Sequence, residues 1–139
     1  RGDAKRNLQD FQGAIVDYTK AIKINPQSDE AYFHRGVSKS RLKDFQGSIS
    51  DFTKAIRINP QDAIAYYNRA LSKSQSKNLQ GAIADYTKSI EINPQNASAY
   101  LNRGIDRERV NDLKGACDDW RKAAGLGKEN AAEWVKEDC

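Results

Sequence analysis

Apolar residues return along this chain at the spacing of helix faces. Ala14, Tyr18, Ala21 and Ile22 follow one another at steps of four, three and one, and Phe52, Ala55 and Ile56 repeat the same face further on. Each such stretch stops at an Asn-Pro pair ending at Pro26, Pro60 or Pro94, where proline disfavours helical geometry in the residue before it. Polar stretches then follow (Gln27–Asp29, Gln61–Asp62, Gln95–Asn96) whose Ser, Asp and Asn side chains suit a helix N-cap. A second set of breaks falls around Asp10, Asp44, Asn78 and Asp112, each just before Phe11, Phe45, Leu79 or Leu113. The pattern predicts pairs of short helices joined by tight turns.

The pairs recur with a fixed step of 34 residues. Three Ile-Asn-Pro tripeptides obey it, as do Gly13, Gly47, Gly81 and Gly115. Asp17, Asp51, Asp85 and Asp119 keep the same register, and so do Tyr18, Phe52, Tyr86 and Trp120. Lys20, Lys54, Lys88 and Lys122 follow it, with Tyr32, Tyr66, Tyr100 and Arg1, Arg35, Arg69, Arg103. A repeat of this length argues for stacked supersecondary units rather than a closed globule.

These residues resemble the tetratricopeptide repeat family over about residues 1–126, with Ala-x-x-x-aromatic at Ala14/Tyr18, Ala82/Tyr86 and Ala116/Trp120. Ser48/Phe52 is the fourth such element. The family's opening Trp-x-x-Leu-Gly-x-x-Tyr stands here as Tyr32-x-x-Arg35-Gly36-x-x-Lys39, and similarly from Tyr66 and Tyr100, the last Tyr becoming Arg107. Units of this composition are similar to those common in bacterial, especially cyanobacterial, proteins. The resemblance implies an all-α fold: a right-handed α-solenoid of helix-turn-helix repeats. Within it, residues 1–28 are expected to form an N-terminally truncated repeat. Residues 29–62, 63–96 and 97–127 are three further repeats, and 128–139 a C-terminal capping helix, the whole being one domain over 1–139. Trp134 and Val135 should pack inward while Lys136, Glu137 and Asp138 face water, as the end of a solenoid requires.

Arginine in place of the family's leucine carries its own expectation. Arg35, Arg69 and Arg103 should face Asp51, Asp85 and Asp119 within each hairpin, as structural ion pairs that fix helix register.

The resemblance also implies a concave groove lined by the first helix of each unit, taking an extended peptide or partner segment. Its floor is expected to carry Phe33 and Val37, Tyr67 and Leu71, and Leu101 and Ile105. Between them stand His34, Asn68 and Asn102; an amide side chain donates and accepts at once, so Asn68 and Asn102 could grip a peptide backbone. Ser40, Arg41, Ser74, Gln75, Glu108 and Arg109 would form a mixed-charge margin. Some family members clamp a chaperone tail's carboxylate with Lys, Asn and Arg, but Asp3, Glu30, Val37, Ile64 and Ser98 occupy the matching positions and cannot do so.

Composition narrows the alternatives. Charged residues make up 30% of the chain and the formal net charge is +4, with both signs well mixed, so no nucleic-acid arm stands out. The fixed step and the lack of a basic stripe along the groove face argue against binding single-stranded RNA. No apolar run is long enough to insert in a membrane, and no signal-type segment is present, so a cytoplasmic location is expected. The chain opens on Arg1 inside a repeat and contains no Met, as expected of an excised piece of a longer protein. Arg1-Gly2-Asp3 and Asn96-Ala97-Ser98 match an integrin tripeptide and a glycosylation sequon, and both are accounted for by the repeat register.

No nucleophile set, metal-ligand spacing or phosphate loop appears, so neither catalysis, metal nor cofactor is expected. Cys117 and Cys139 fit no disulfide framework; Cys117 shares the register of Ile15, Ile49 and Ile83 and is expected in the core. A bond between the two is the less favoured alternative. The expected function is a protein-interaction scaffold. Self-association through the repeat ends, or service as the docking arm of a larger protein, are the alternatives.

Overall fold

The computed structural model describes the backbone of residues 2–139 and the side chains from residue 7 onward. Among these residues the chain is eight helices and no strand: α1 (Gly2–Ile24), α2 (Asp29–Arg41), α3 (Phe45–Ile58), α4 (Ala63–Gln75), α5 (Leu79–Ile92), α6 (Ala97–Arg109), α7 (Leu113–Gly125) and α8 (Glu129–Asp138). Each helix packs on the next in sequence; α2 with α3, α4 with α5 and α6 with α7 are the closest pairs. The result is an all-α solenoid whose layers follow chain order.

Local chemistry sets the boundaries. Ser28, Asp62 and Asn96 cap α2, α4 and α6, each accepting a bond from the backbone N–H three residues on at 3.1–3.2 Å. Asp44, Asn78 and Asp112 cap α3, α5 and α7 by accepting from Gly47, Gly81 and Gly115 at 2.9–3.0 Å. The recurring glycine has a steric cause here, since a Cβ at Gly47, Gly81 or Gly115 would collide with the capping side chain.

The first unit departs from the expected turn near Asp10: α1 runs unbroken through it. In the other units the turn uses a left-handed residue, Lys43, Lys77 or Asn111, with φ between 63° and 68°. The matching position here, Gln9, stays helical. Continuing the helix keeps its backbone bonds. Gly13 accordingly has no capping side chain near it. Asp3 lies outside the described side chains.

Phe52, Tyr86 and Trp120 are the large side chains sealed between layers, with Ala55, Ala65, Ala82, Ala99, Ala116 and Ala123 letting the helices approach. At the end of the stack Ala131 is fully buried, and Trp134 and Val135 lie against the α4–α7 core while Lys136, Glu137 and Asp138 are exposed. The cysteine expectation is corrected in one respect. Cys117 is buried, but it is disulfide-bonded to Cys139 with their Cα atoms 5.9 Å apart. Folding α8 back over α7 brings together residues 22 apart, which no motif spacing announces.

Candidate functional site

The most regular chemistry lies inside the hairpins. Arg35 donates to both carboxylate oxygens of Asp51 at 2.8 and 2.7 Å. Arg69 does the same to Asp85 at 2.7 and 2.8 Å, and Arg103 to Asp119 at 2.9 and 2.6 Å. These are planar, two-bond guanidinium–carboxylate pairs. The Asp51 bonds raise the Arg35 guanidinium above its ordinary value against the opposing effect of burial. Each guanidinium has two further contacts. It donates to a threonine of the preceding unit (Thr19, Thr53 or Thr87) at 3.1–3.2 Å and lies over the ring of Tyr32, Tyr66 or Tyr100. One side chain therefore ties its own hairpin to the one before it.

Each aspartate has a second cation that the hairpin pattern did not foretell. Lys39 reaches Asp51 at 3.1 Å, Lys73 reaches Asp85 at 3.0 Å, and Arg107 reaches Asp119 at 2.9 Å. Their 34-residue register, at positions where the family carries Tyr, was the available signal.

The residues expected to line a groove are distributed unevenly. Val37, Asn68 and Leu71 meet around one cleft of ≈ 450 Å³ between α2 and α4, which Ser40, Arg41, Lys43, Phe45, Ser72 and Gln75 complete. A second cleft of ≈ 460 Å³ is lined by Ser74, Gln75, Lys77, Leu79 and Arg109. Ile105 lies in a third, of ≈ 310 Å³, with Glu108, Trp120, Trp134 and Asp138. Phe33 packs on Phe52 with ring centroids 5.7 Å apart, and His34 stacks on Tyr18 at 5.6 Å. Tyr67 and Leu101 are half-buried against the core, so only part of each is open.

Both amides hold internal bonds. Asn68 donates to its own helix at the Ile64 carbonyl at 2.9 Å, and Asn102 donates to the Tyr67 hydroxyl at 3.0 Å. Burial pushes the Tyr67 hydroxyl above its ordinary value, against the lowering effect of its bonds to Asn102 and Ser98.

Asp106 was not singled out by the sequence reading. It sits where the two preceding units have Ser38 and Ser72, and is 1% exposed. Its Oδ1 accepts from Ser74 at 2.9 Å, with Arg109 at 3.5 Å, while its Oδ2 is buried without a hydrogen-bond partner. Burial raises its carboxyl above the usual carboxylate range, opposed by Ser74 and Arg109. Burial also raises the Tyr86 hydroxyl, and Asp106 adds to that effect. A carboxyl whose folded value is raised favours folding fully only below its unfolded value. That contribution is lost as pH climbs through the folded value. Asp106→Ser should therefore melt at a higher temperature than the parent at pH 7, with the gap closing toward pH 4. Melting curves across that range check it; a variant less stable at pH 7 would refute the reading.

The stacked hairpins and their inter-repeat arginine ties define an all-α helical repeat solenoid. A TPR repeat family profile matches residues 2–43, and tetratricopeptide repeat profiles match 29–62 and 63–96. The chain belongs to the tetratricopeptide repeat family. The Arabidopsis OM64 TPR domain is 30% identical, with TM-score 0.74, covering 79% of this chain and 92% of that one. A crystal structure of MamA shares the fold with TM-score 0.89 at 24% identity, covering 96% of this chain and 80% of that one. The first TPR of Spaghetti (RPAP3), bound to the HSP90 peptide SRMEEVD, has TM-score 0.75 at 20% identity, over 80% of this chain and 90% of that one. No curated protein matches the sequence. Among the described residues no helix is long and apolar enough to cross a membrane.

Proposed function

We propose that this chain binds an extended peptide or partner segment along the face where α2, α4 and α6 lie side by side, as a scaffold rather than a catalyst. The observation that carries the reading is the convergence of Val37, Asn68 and Leu71 on one cleft, with an apolar floor and an amide at its side. The Asn68 and Asn102 carbonyl oxygens take no hydrogen bond from the described residues, which leaves each able to accept a peptide N–H. A relative in fold holds a peptide, which makes capture of an extended segment a natural use of such a surface.

The test is selection from a displayed peptide library by the parent and by Asn68→Ala/Asn102→Ala. Peptides selected by the parent should lose about tenfold or more in affinity for the double variant, since each lost hydrogen bond is worth about 1 kcal/mol. Equal affinity would move the site off this face. A cytoplasmic location, expected from the sequence, competes with the Cys117–Cys139 bond, which persists most readily in an oxidising compartment.

End-to-end self-association is the second reading, favoured by one observation. Leu8 and Val16 are 48% and 52% exposed on α1. Light scattering over a concentration series decides it, and a strict monomer removes it.

A further inference from the structure

The first two clefts share a chemistry that the third lacks. Arg41 and Lys43 line one and Lys77 and Arg109 the other, and neither lining contains an acidic residue. The third has Glu108 and Asp138 and no base. All four cations are exposed. Lys39 on α2 and Lys73 on α4 are by contrast bound to Asp51 and Asp85. Among the described residues Arg41, Lys43 and Lys77 have no salt bridge, and Arg109 has only the 3.5 Å contact with Asp106.

Helix-end electrostatics favour Arg41 and Arg109, each in the last turn of its helix, but do not account for the two lysines, which lie beyond the helix ends. The carbonyls that end α2 are taken by the N–H groups of Leu42, Lys43 and Asp44, and those that end α4 by Ser76, Lys77 and Asn78. The two lysines are also the residues held left-handed in their turns, at φ 63° and 68°. Glycine or asparagine suits that conformation, and the third turn does have Asn111 there. Lysine thus stands against the local backbone preference in the two turns whose clefts are basic. It is absent from the turn whose neighbouring cleft is acidic.

We infer that these two clefts select an acidic extended segment, its carboxylates meeting Arg41, Lys43, Lys77 and Arg109 and its apolar side chains seated on Leu71, Phe45 and Leu79. This deepens the groove reading above and rests on it. Phe45 is the one aromatic in these two linings, so successive bases would lack the row of stacking platforms a nucleic acid uses, which favours a peptide.

The test is fluorescence anisotropy with a labelled peptide of alternating Glu and Leu, beside counterparts with Gln or Lys in place of Glu. The acidic peptide should bind the parent about tenfold more tightly than the Gln peptide, and added salt should weaken it. Lys43→Asn/Lys77→Asn should lose most of that preference while its melting temperature stays level or rises, which separates recognition from folding. Arg41→Gln is a second variant that leaves the turns untouched.

Equal binding of the Gln peptide, or an unchanged preference in both variants, overturns the inference. The groove reading survives that result if Asn68→Ala/Asn102→Ala still weakens the Gln peptide. Tighter binding of a labelled oligouridylate, lost in the lysine variant, overturns the inference in favour of nucleic acid. Failure of every peptide to bind the parent overturns the inference, and the library selection then decides the groove reading by itself.

Discussion

Asp85→Ala should unfold the central hairpin more easily by about 3–5 kcal/mol, the cost of stripping a buried ion pair of one member. Asp85 is almost wholly enclosed and receives Arg69 through two bonds and Lys73 at 3.0 Å. Removing it leaves two cations facing each other in a poorly solvated layer, and releases the Arg69 contact with Thr53 from its anchor. Arg69→Ala should cost less, because Lys73 still neutralises the carboxylate. This asymmetry comes from the second cation and would not arise from isolated pairs. Replacing both members by apolar residues, as in Arg69→Met/Asp85→Leu, should be milder than Asp85→Ala alone. Urea unfolding followed by helical circular dichroism provides the comparison. An Asp85→Ala variant within about 0.5 kcal/mol of the parent, the range of an ordinary surface change, would show that the pair contributes little.

Trp120→Ala should be comparably severe, at about 3–5 kcal/mol for truncating a buried tryptophan. Trp120 is 2% exposed, and its ring meets Trp134 edge-on at 5.3 Å. It belongs to the last full hairpin and is the seat on which α8 closes the stack. Its partner across the hairpin is Gly104, where a Cβ would stand 2.5 Å from the indole nitrogen. The hole left by truncation is thus bounded by a backbone that cannot fill it. Loss should be greatest at this end because a solenoid layer is held only by its neighbours. Fluorescence of the remaining Trp134 should shift toward that of a solvated indole before the helical signal is lost. Coincident transitions at the parental midpoint would sink this account.

Much of the architecture is written in short-range pattern. The step of 34, the helix-stopping Asn-Pro pairs and the capping residues Ser28, Asp62 and Asn96 act on neighbours within a turn or two. The Arg35, Arg69 and Arg103 partners were legible because a repeated hairpin fixes which residues face each other, whatever the rest of the chain does. The candidate site was legible only in part. Val37, Asn68 and Leu71 meet at one cleft, whereas Phe33 turns onto Phe52 and Asn102 is engaged by Tyr67. Which side of a half-apolar helix remains open depends on how the next layer settles against it.

The sequence by itself determined the repeat, its helical content and the pairing inside each hairpin. These follow from periodicity and from contacts of fixed separation. Only the tertiary structure decided that α1 runs through Asp10, that Cys117 meets Cys139, and that Asp106 is sealed with one oxygen unpartnered. It also decided that, among the described residues, Arg41, Lys43 and Lys77 stand without a salt bridge around two clefts while Lys39 and Lys73 are neutralised. Each of these turns on the angle and offset between successive layers. Small side chains and ring sizes set that geometry jointly, and no single stretch of the chain encodes it.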